Sequence, residues 1–100
     1  MKRPSSPTVK LAAKQIGENL ATWRKLYNLT SQQLADKAAV SRATISRLEN
    51  GDPKVSFETF LSVCRALSSL DAVVEATDPY ETDYGRIRAD QVLPQRVRRS

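Results

Sequence analysis

An all-α bundle of four or five short helices is the fold class this sequence predicts, on three observations. Apolar residues recur at helical spacing between residues 9 and 69, hydroxyl residues stand where those stretches begin, and breaks of a few residues separate them. The chain has 100 residues, 40% of them hydrophobic. That is enough for one small core and too little for a core plus a separate catalytic domain.

The first helix is expected from about Val9 to Tyr27, because Ile16, Leu20, Trp23 and Tyr27 fall on one helical stripe. Asn28 follows, and Asn tolerates the left-handed backbone that ends helices. A second helix opens at Thr30 with Gln33 three positions later, a capping-box spacing, and turns Leu34 and Ala38 inward. Ser41 caps a third helix that buries Ile45 and Leu48 and stops at Asn50-Gly51. After the Asp52-Pro53 loop, Ser56 caps a fourth, with Phe57, Phe60, Leu61, Cys64 and Leu67 as its apolar face. Beyond Ser68-Ser69 the pattern weakens. Residues 70–76 read as either another helix or a short strand, since Val73-Val74 favours strand and the alanines oppose it.

The organisation expected is therefore a flexible basic arm over 1–8, a helical domain over 9–69, a short segment over 70–77, and an acidic-then-basic flexible tail over 78–100. Asp71, Glu75, Asp78, Glu81 and Asp83 come without an intervening cation, and Arg86, Arg88, Arg96, Arg98 and Arg99 then dominate. No internal repeat is present.

Several function classes fall away on composition. The formal charge of +5 favours an anionic partner, nucleic acid first and an anionic membrane second. No apolar run approaches the roughly 18 residues of a membrane span, and no apolar stretch follows Lys2-Arg3 to make a secretion signal. A cytoplasmic, nucleoid-associated protein is expected. The sequence has no histidine, the commonest general base and metal ligand. Cys64 is the only cysteine and sits in an apolar helical pattern, so it reads as a buried bystander. Asp71/Glu75 and Asp78/Glu81 read as solvated charge. No enzyme activity, cofactor or metal is expected.

The strongest signal lies between Ser31 and Asn50. Ala35, Ala39, Val40, Ile45 and Leu48 sit where two helices crossing steeply need small or apolar residues. The short link around Ala39-Val40-Ser41 then aims the third helix outward, as a recognition helix must be aimed to enter a major groove.

The run LTSQQLADKAAVSRATISRLENG, Leu29 to Gly51, closely resembles the XRE or Cro/C1-type helix-turn-helix family, which includes the lambdoid phage repressors. The resemblance covers about residues 16–70 and implies a lambda-repressor-like fold, double-stranded operator DNA with palindromic half-sites, and a homodimer. It departs from the family at Ala39, where Gly is usual, and at Ser31, where a contacting Gln is common. Carried across position by position, it implies that Arg42, Ala43, Ser46 and Arg47 face base edges, and that Ser31, Gln32, Ser41, Thr44 and Asn50 hold phosphates. It also implies an ion pair between Arg24 and Glu49 that orients the end of the recognition helix. The alternatives are two solvated arginines, Arg42 and Arg47, on the third helix and two independent surface charges.

A weaker resemblance concerns the layout. A helix-turn-helix domain followed by a short apolar-acidic segment and a tail ending Leu93-Pro94-Gln95-Arg96-Val97-Arg98-Arg99 looks like the HipB-type antitoxins. It implies an autoregulating, dimeric repressor. The dimer seam is expected from the fourth helix and residues 70–76, where Leu70, Val73 and Val74 have little else to cover them. The implied partner is a HipA-type serine/threonine kinase toxin or its subunits, with no membrane role. A phage or general repressor without a toxin partner is the competing reading. A self-cleaving repressor would need a further domain that the residues after Ser69 are too few to build.

Overall fold

The computed structural model describes residues 6–93, which contain six helices and no strand. These are α1 (Pro7–Leu26), α2 (Ser31–Ala38), α3 (Arg42–Glu49), α4 (Phe57–Ala66), α5 (Leu70–Ala76) and α6 (Asp83–Val92), with a 3-10 turn at Pro79–Glu81 before α6. The chain divides into two compact units, one ending at Leu70 and the other beginning at Asp71.

In the first unit every helix starts and stops by the same local chemistry. Ser6, Thr30, Ser41 and Ser56 sit in extended backbone, and each hydroxyl accepts a hydrogen bond from the N–H three residues on. At Thr30 the box is complete, because the Gln33 side chain accepts the Thr30 N–H at 2.8 Å. Each of the four helices ends on a left-handed residue, at Asn28, Ala39, Gly51 and Ser68. Around each, two successive N–H groups return to carbonyls of the last turn, as Ala39 does to Asp36 (3.3 Å) and Val40 to Ala35 (3.0 Å). Helix boundaries in this unit are therefore written in short-range sequence.

The core is apolar throughout: Leu20, Leu34, Ala35, Ala38, Ile45, Leu48, Val63, Cys64 and Leu67 are its buried residues. α2 packs on both α3 and α4, and α1 packs on α3. Ala35 is fully buried at the crossing. Arg65 ties α4 to α2 by donating to the Lys37 carbonyl at 3.3 Å.

Two inward faces differ from those read in the sequence. On α1 only Leu20 of the expected stripe Ile16, Leu20, Trp23 and Tyr27 is buried. Ile16, Trp23 and Tyr27 are 43%, 45% and 46% exposed, with the two aromatic rings stacked 5.8 Å apart on the surface. The inward row is Ala13, Gly17, Leu20 and Arg24, one residue round the helix. The reason is steric. A Cβ on Gly17 would lie 2.5 Å from the Leu48 carbonyl oxygen and 2.7 Å from that of Glu49, so the end of α3 rests directly on the backbone of α1. On α4, Val63 occupies the core, and Phe57 is 71% exposed while Phe60 and Leu61 are half-buried.

The ends of the chain also need correction. Residues 1–5 of the expected basic arm lie outside the described residues, and Ser6 and Pro7 already cap and open α1. The strand alternative at 70–76 gives way to α5. No strand exists among the described residues for it to pair with, whereas a helix satisfies its own backbone, helped by Ala72, Ala76 and an acid, Asp71, in the first turn. Leu70 and Val73 are half-buried and Val74 is 61% exposed.

In the second unit, residues 78–92 form regular elements where the sequence suggested only a tail. Asp78 caps the 3-10 turn through the Tyr80 N–H, and Thr82 caps α6 through the Gly85 N–H, both at 2.9 Å. Arg86 donates to the Tyr80 carbonyl at 2.6 Å and pairs with Asp83. Arg96, Arg98 and Arg99 lie outside the described residues.

Candidate nucleic-acid interface

α3 is amphipathic in the way a reading helix must be. Ile45 and Leu48 are buried against the bundle, while Arg42, Ala43, Ser46 and Arg47 are all exposed. A short helix holds its aim only if both ends are fixed. At its N-terminus, Ser41 accepts the Thr44 N–H at 3.1 Å, and the Ser41 and Thr44 hydroxyls bond each other at 2.8 Å. Just upstream, Ala39 adopts φ 59°, ψ 42°, and this left-handed residue sets the angle between α2 and α3.

The C-terminus of α3 is fixed from α1. Arg24 Nε donates to Glu49 Oε2 at 2.7 Å and Nη2 donates to Oε1 at 3.1 Å, a bidentate pair with both side chains 13% exposed. The third contact, Nη1 to the Leu29 carbonyl at 3.0 Å, adds the α1–α2 link to the same knot. The hydrogen bonds to Glu49 raise the Arg24 pKa above its already high value, against a smaller lowering by burial. The guanidinium therefore stays charged wherever the protein is folded. Beside this knot, Gly51 (φ 82°) lies so close to α1 that a Cβ there would stand 2.6 Å from the Lys14 Cα.

The residues assigned to phosphates are placed less uniformly. Ser31 is half-buried in the first turn of α2, and Thr44 is half-buried in α3. Gln32 is exposed and bonded to Asp36 at 2.9 Å, while its neighbour Gln33 is consumed by the capping box. Ser41 and Asn50 are exposed at the two ends of α3. Free amide N–H groups at the starts of α2 and α3 add partial positive charge to this face. Residues 6–70 carry nine lysines and arginines against five acids, so the whole unit attracts polyanions.

Three residues that shape this face escaped the sequence reading. Gly17 carries no motif signal, because its value lies in what it leaves out at a contact between distant segments. Leu29 contributes only a backbone carbonyl. Asp52 accepts hydrogen bonds from Arg47 Nε and from the Lys54 N–H, each at 2.9 Å. Those bonds, the Lys54 one first, hold its carboxyl below the ordinary aspartate range. The Asp52-Pro53 turn was the available signal, because an Asp side chain in a turn commonly accepts the N–H two residues on. Cys64 is 1% exposed in α4 and its burial pushes the thiol pKa up, so it is a core residue rather than a reactive one. Among the described residues no group of acidic or sulfur side chains is arranged to hold a metal, and no helix is long and apolar enough to cross a membrane.

This fold and this face define a class. Residues 20–71 match the helix-turn-helix family HTH_3, and the chain belongs to that family of DNA-binding domains. Among curated proteins it is similar to the antitoxin PezA of Streptococcus pneumoniae serotype 4, with 37% identity over 62 residues. The matched stretch is 60% of this chain and only 39% of the length of that relative. No solved structure matches the chain.

Proposed function

We propose that this chain is a sequence-specific transcriptional repressor that works as a homodimer on operator DNA and serves as the antitoxin of a toxin–antitoxin operon. The observation that carries the DNA-binding part is the exposed row Arg42, Ala43, Ser46 and Arg47 on a helix clamped at both ends. One helix of eight residues makes too few base contacts for useful specificity, so two copies reading half-sites about one helical turn apart are required. Leu70, Val73 and Val74 on α5 are proposed for the seam, Val74 being largely exposed in the single chain. The antitoxin role rests on the similarity to PezA together with the layout resembling HipB-type proteins, and a HipA-type kinase as the toxin rests on the layout alone.

The deciding experiment selects duplexes from a randomised pool and measures affinity for the winner and for random DNA. Arg42→Ala should lower specific affinity by about 1–3 kcal/mol per half-site and relax preference at one base pair. Equal weakening on both duplexes would move Arg42 to a phosphate role. Sedimentation at micromolar concentration should give a dimer, and a monomer alone would refute the two-copy reading. Co-expression with the product of the adjacent gene should yield a complex, and its failure to form would leave a repressor without a toxin.

A further inference from the structure

α3 carries two arginines, and Arg47 differs from Arg42 in being tied to the loop that follows the helix. Arg47 Nε donates to Asp52 Oδ2 at 2.9 Å, and the Asp52 N–H donates back to the Arg47 carbonyl at 3.0 Å. The two residues are thus joined through both side chain and backbone. Asp52 is itself locked, because its other carboxylate oxygen accepts the Lys54 N–H at 2.9 Å in the tight turn after Gly51. Arg47 remains 53% exposed despite the tie and Asp52 32%, so the pair sits at the surface of the reading helix.

A guanidinium offers five N–H donors in a fixed planar fork. With Nε committed to Asp52, the bidentate edge left for a ligand is the Nη1/Nη2 end, which matches the O6 and N7 acceptors of guanine. The adjacent carboxylate also discriminates by charge. It repels a phosphate approaching the same fork, while the neutral acceptors of a base edge suffer far less. We propose that Asp52 is a specificity-determining positioning residue, holding Arg47 so that it reads a base edge rather than a phosphate. This rests on the DNA-binding reading above and adds to it an acidic partner that the reading did not contain.

The test uses the full chain and the duplex that it selects from a randomised pool. Affinities for that duplex and for random DNA are measured across a salt series for the wild type, Arg47→Ala, Asp52→Asn and the double variant, beside their thermal melts. Asparagine keeps an acceptor for the Lys54 N–H, so Asp52→Asn should melt only slightly below the wild type, having lost an exposed ion pair. Its binding to random DNA should tighten, with a salt slope steeper by about 0.9 per half-site as each freed arginine neutralises one more phosphate. Its ratio of specific to random affinity should fall roughly tenfold per half-site, the loss of one oriented base contact in each. Arg47→Ala should lower the same ratio without steepening the slope. The decisive comparison is the double variant, whose ratio should equal that of Arg47→Ala, because without Arg47 there is nothing to position. An unchanged ratio in Asp52→Asn, or an equal further loss in the Arg47→Ala background, would overturn the assignment even if Asp52→Asn were less stable. A wild-type protein that selects no duplex would overturn the DNA-binding reading beneath it, whereas an effect of Arg42→Ala with none of Asp52→Asn would overturn only the role of Asp52.

Discussion

Replacing Ala39 by glycine should stabilise the protein, although it removes a methyl group and adds freedom to the chain. Ala39 is exposed and stands at φ 59°, ψ 42° between α2 and α3. An L-residue in that region costs about 1–2 kcal/mol, because its Cβ crowds the following carbonyl. Glycine escapes that cost but loses about 0.5–1 kcal/mol more conformational entropy on folding. The difference leaves a gain of about 0.5–1 kcal/mol, and for a domain of this size that raises the melting midpoint by roughly 2–8 °C. Both hydrogen bonds of the turn come from backbone N–H groups, Ala39 to Asp36 and Val40 to Ala35, so glycine keeps them. Thermal and urea unfolding followed by circular dichroism provide the assay, with an unchanged urea m-value showing that the folded state is the same. Ala38→Gly is the control, one residue earlier, the last residue of α2 and buried with ordinary helical backbone, where glycine should cost about 1 kcal/mol. A lower midpoint for Ala39→Gly would show that the turn is not held in the left-handed region, and the account of how α3 is aimed would fall with it.

Three further outcomes test the seat of α3. Gly17→Val should destabilise by about 2 kcal/mol through overpacking, because a Cβ there falls about 0.9 Å short of the 3.4 Å at which ordinary contact with the α3 carbonyls begins; an unchanged melt would refute the close approach. A double-mutant cycle on Arg24→Ala and Glu49→Ala should give a coupling of about 1–2 kcal/mol, reduced from a fully buried pair by the residual exposure of both side chains, and additive losses would reduce the pair to two independent surface charges. The carboxyl of Asp52, followed by NMR, should titrate below its ordinary 3.8. A depressed folded pKa stabilises the fold above the unfolded value and that contribution fades as pH falls through the folded midpoint, so its loss belongs to strong acid. Arg47→Ala should raise the Asp52 midpoint only part-way, since the larger cause, the Lys54 N–H bond, remains; no change at all would deny the tie between Asp52 and Arg47.

What could be read from the sequence was what short-range chemistry decides. Thr30, Ser41 and Ser56 announce helix starts because a hydroxyl cap acts within three residues, and Asn28 and Gly51 announce stops for a similar reason. The inward faces of α2 and α3 were legible too, since Leu34, Ala38, Ile45 and Leu48 have no competing apolar stripe. α1 was misread by one position because, of its stripe of large residues, only Leu20 is buried. The close approach of α3 admits only the neighbouring row built around Gly17, and that approach is a property of two segments rather than one. α5 was undecidable by propensity, as Val73-Val74 and the flanking alanines pull in opposite directions; among the described residues there is no partner strand, and the segment forms a helix. α6 went unseen because its apolar face is weak, although Thr82 and Asp83 mark its start. For the candidate interface, the exposed residues of α3 were legible from the motif. Asp52 was not, because its role depends on a side chain five residues back turning to meet it.

The floor beneath α3 has a consequence for how this domain is cut and recombined. The stretch shared with the family begins at residue 20, while the backbone on which α3 and Gly51 rest belongs to Lys14 and Gly17. Descent and mechanics therefore draw different borders on the same chain. A fragment trimmed to the shared stretch keeps every residue proposed to face DNA but loses the anvil under the last turn of α3. Grafting α3 from a relative likewise transfers the letters without the bench that holds them at the right height. Chimeras built on this protein should carry residues 14–17 together with α3, treating two segments far apart in sequence as one interchangeable part.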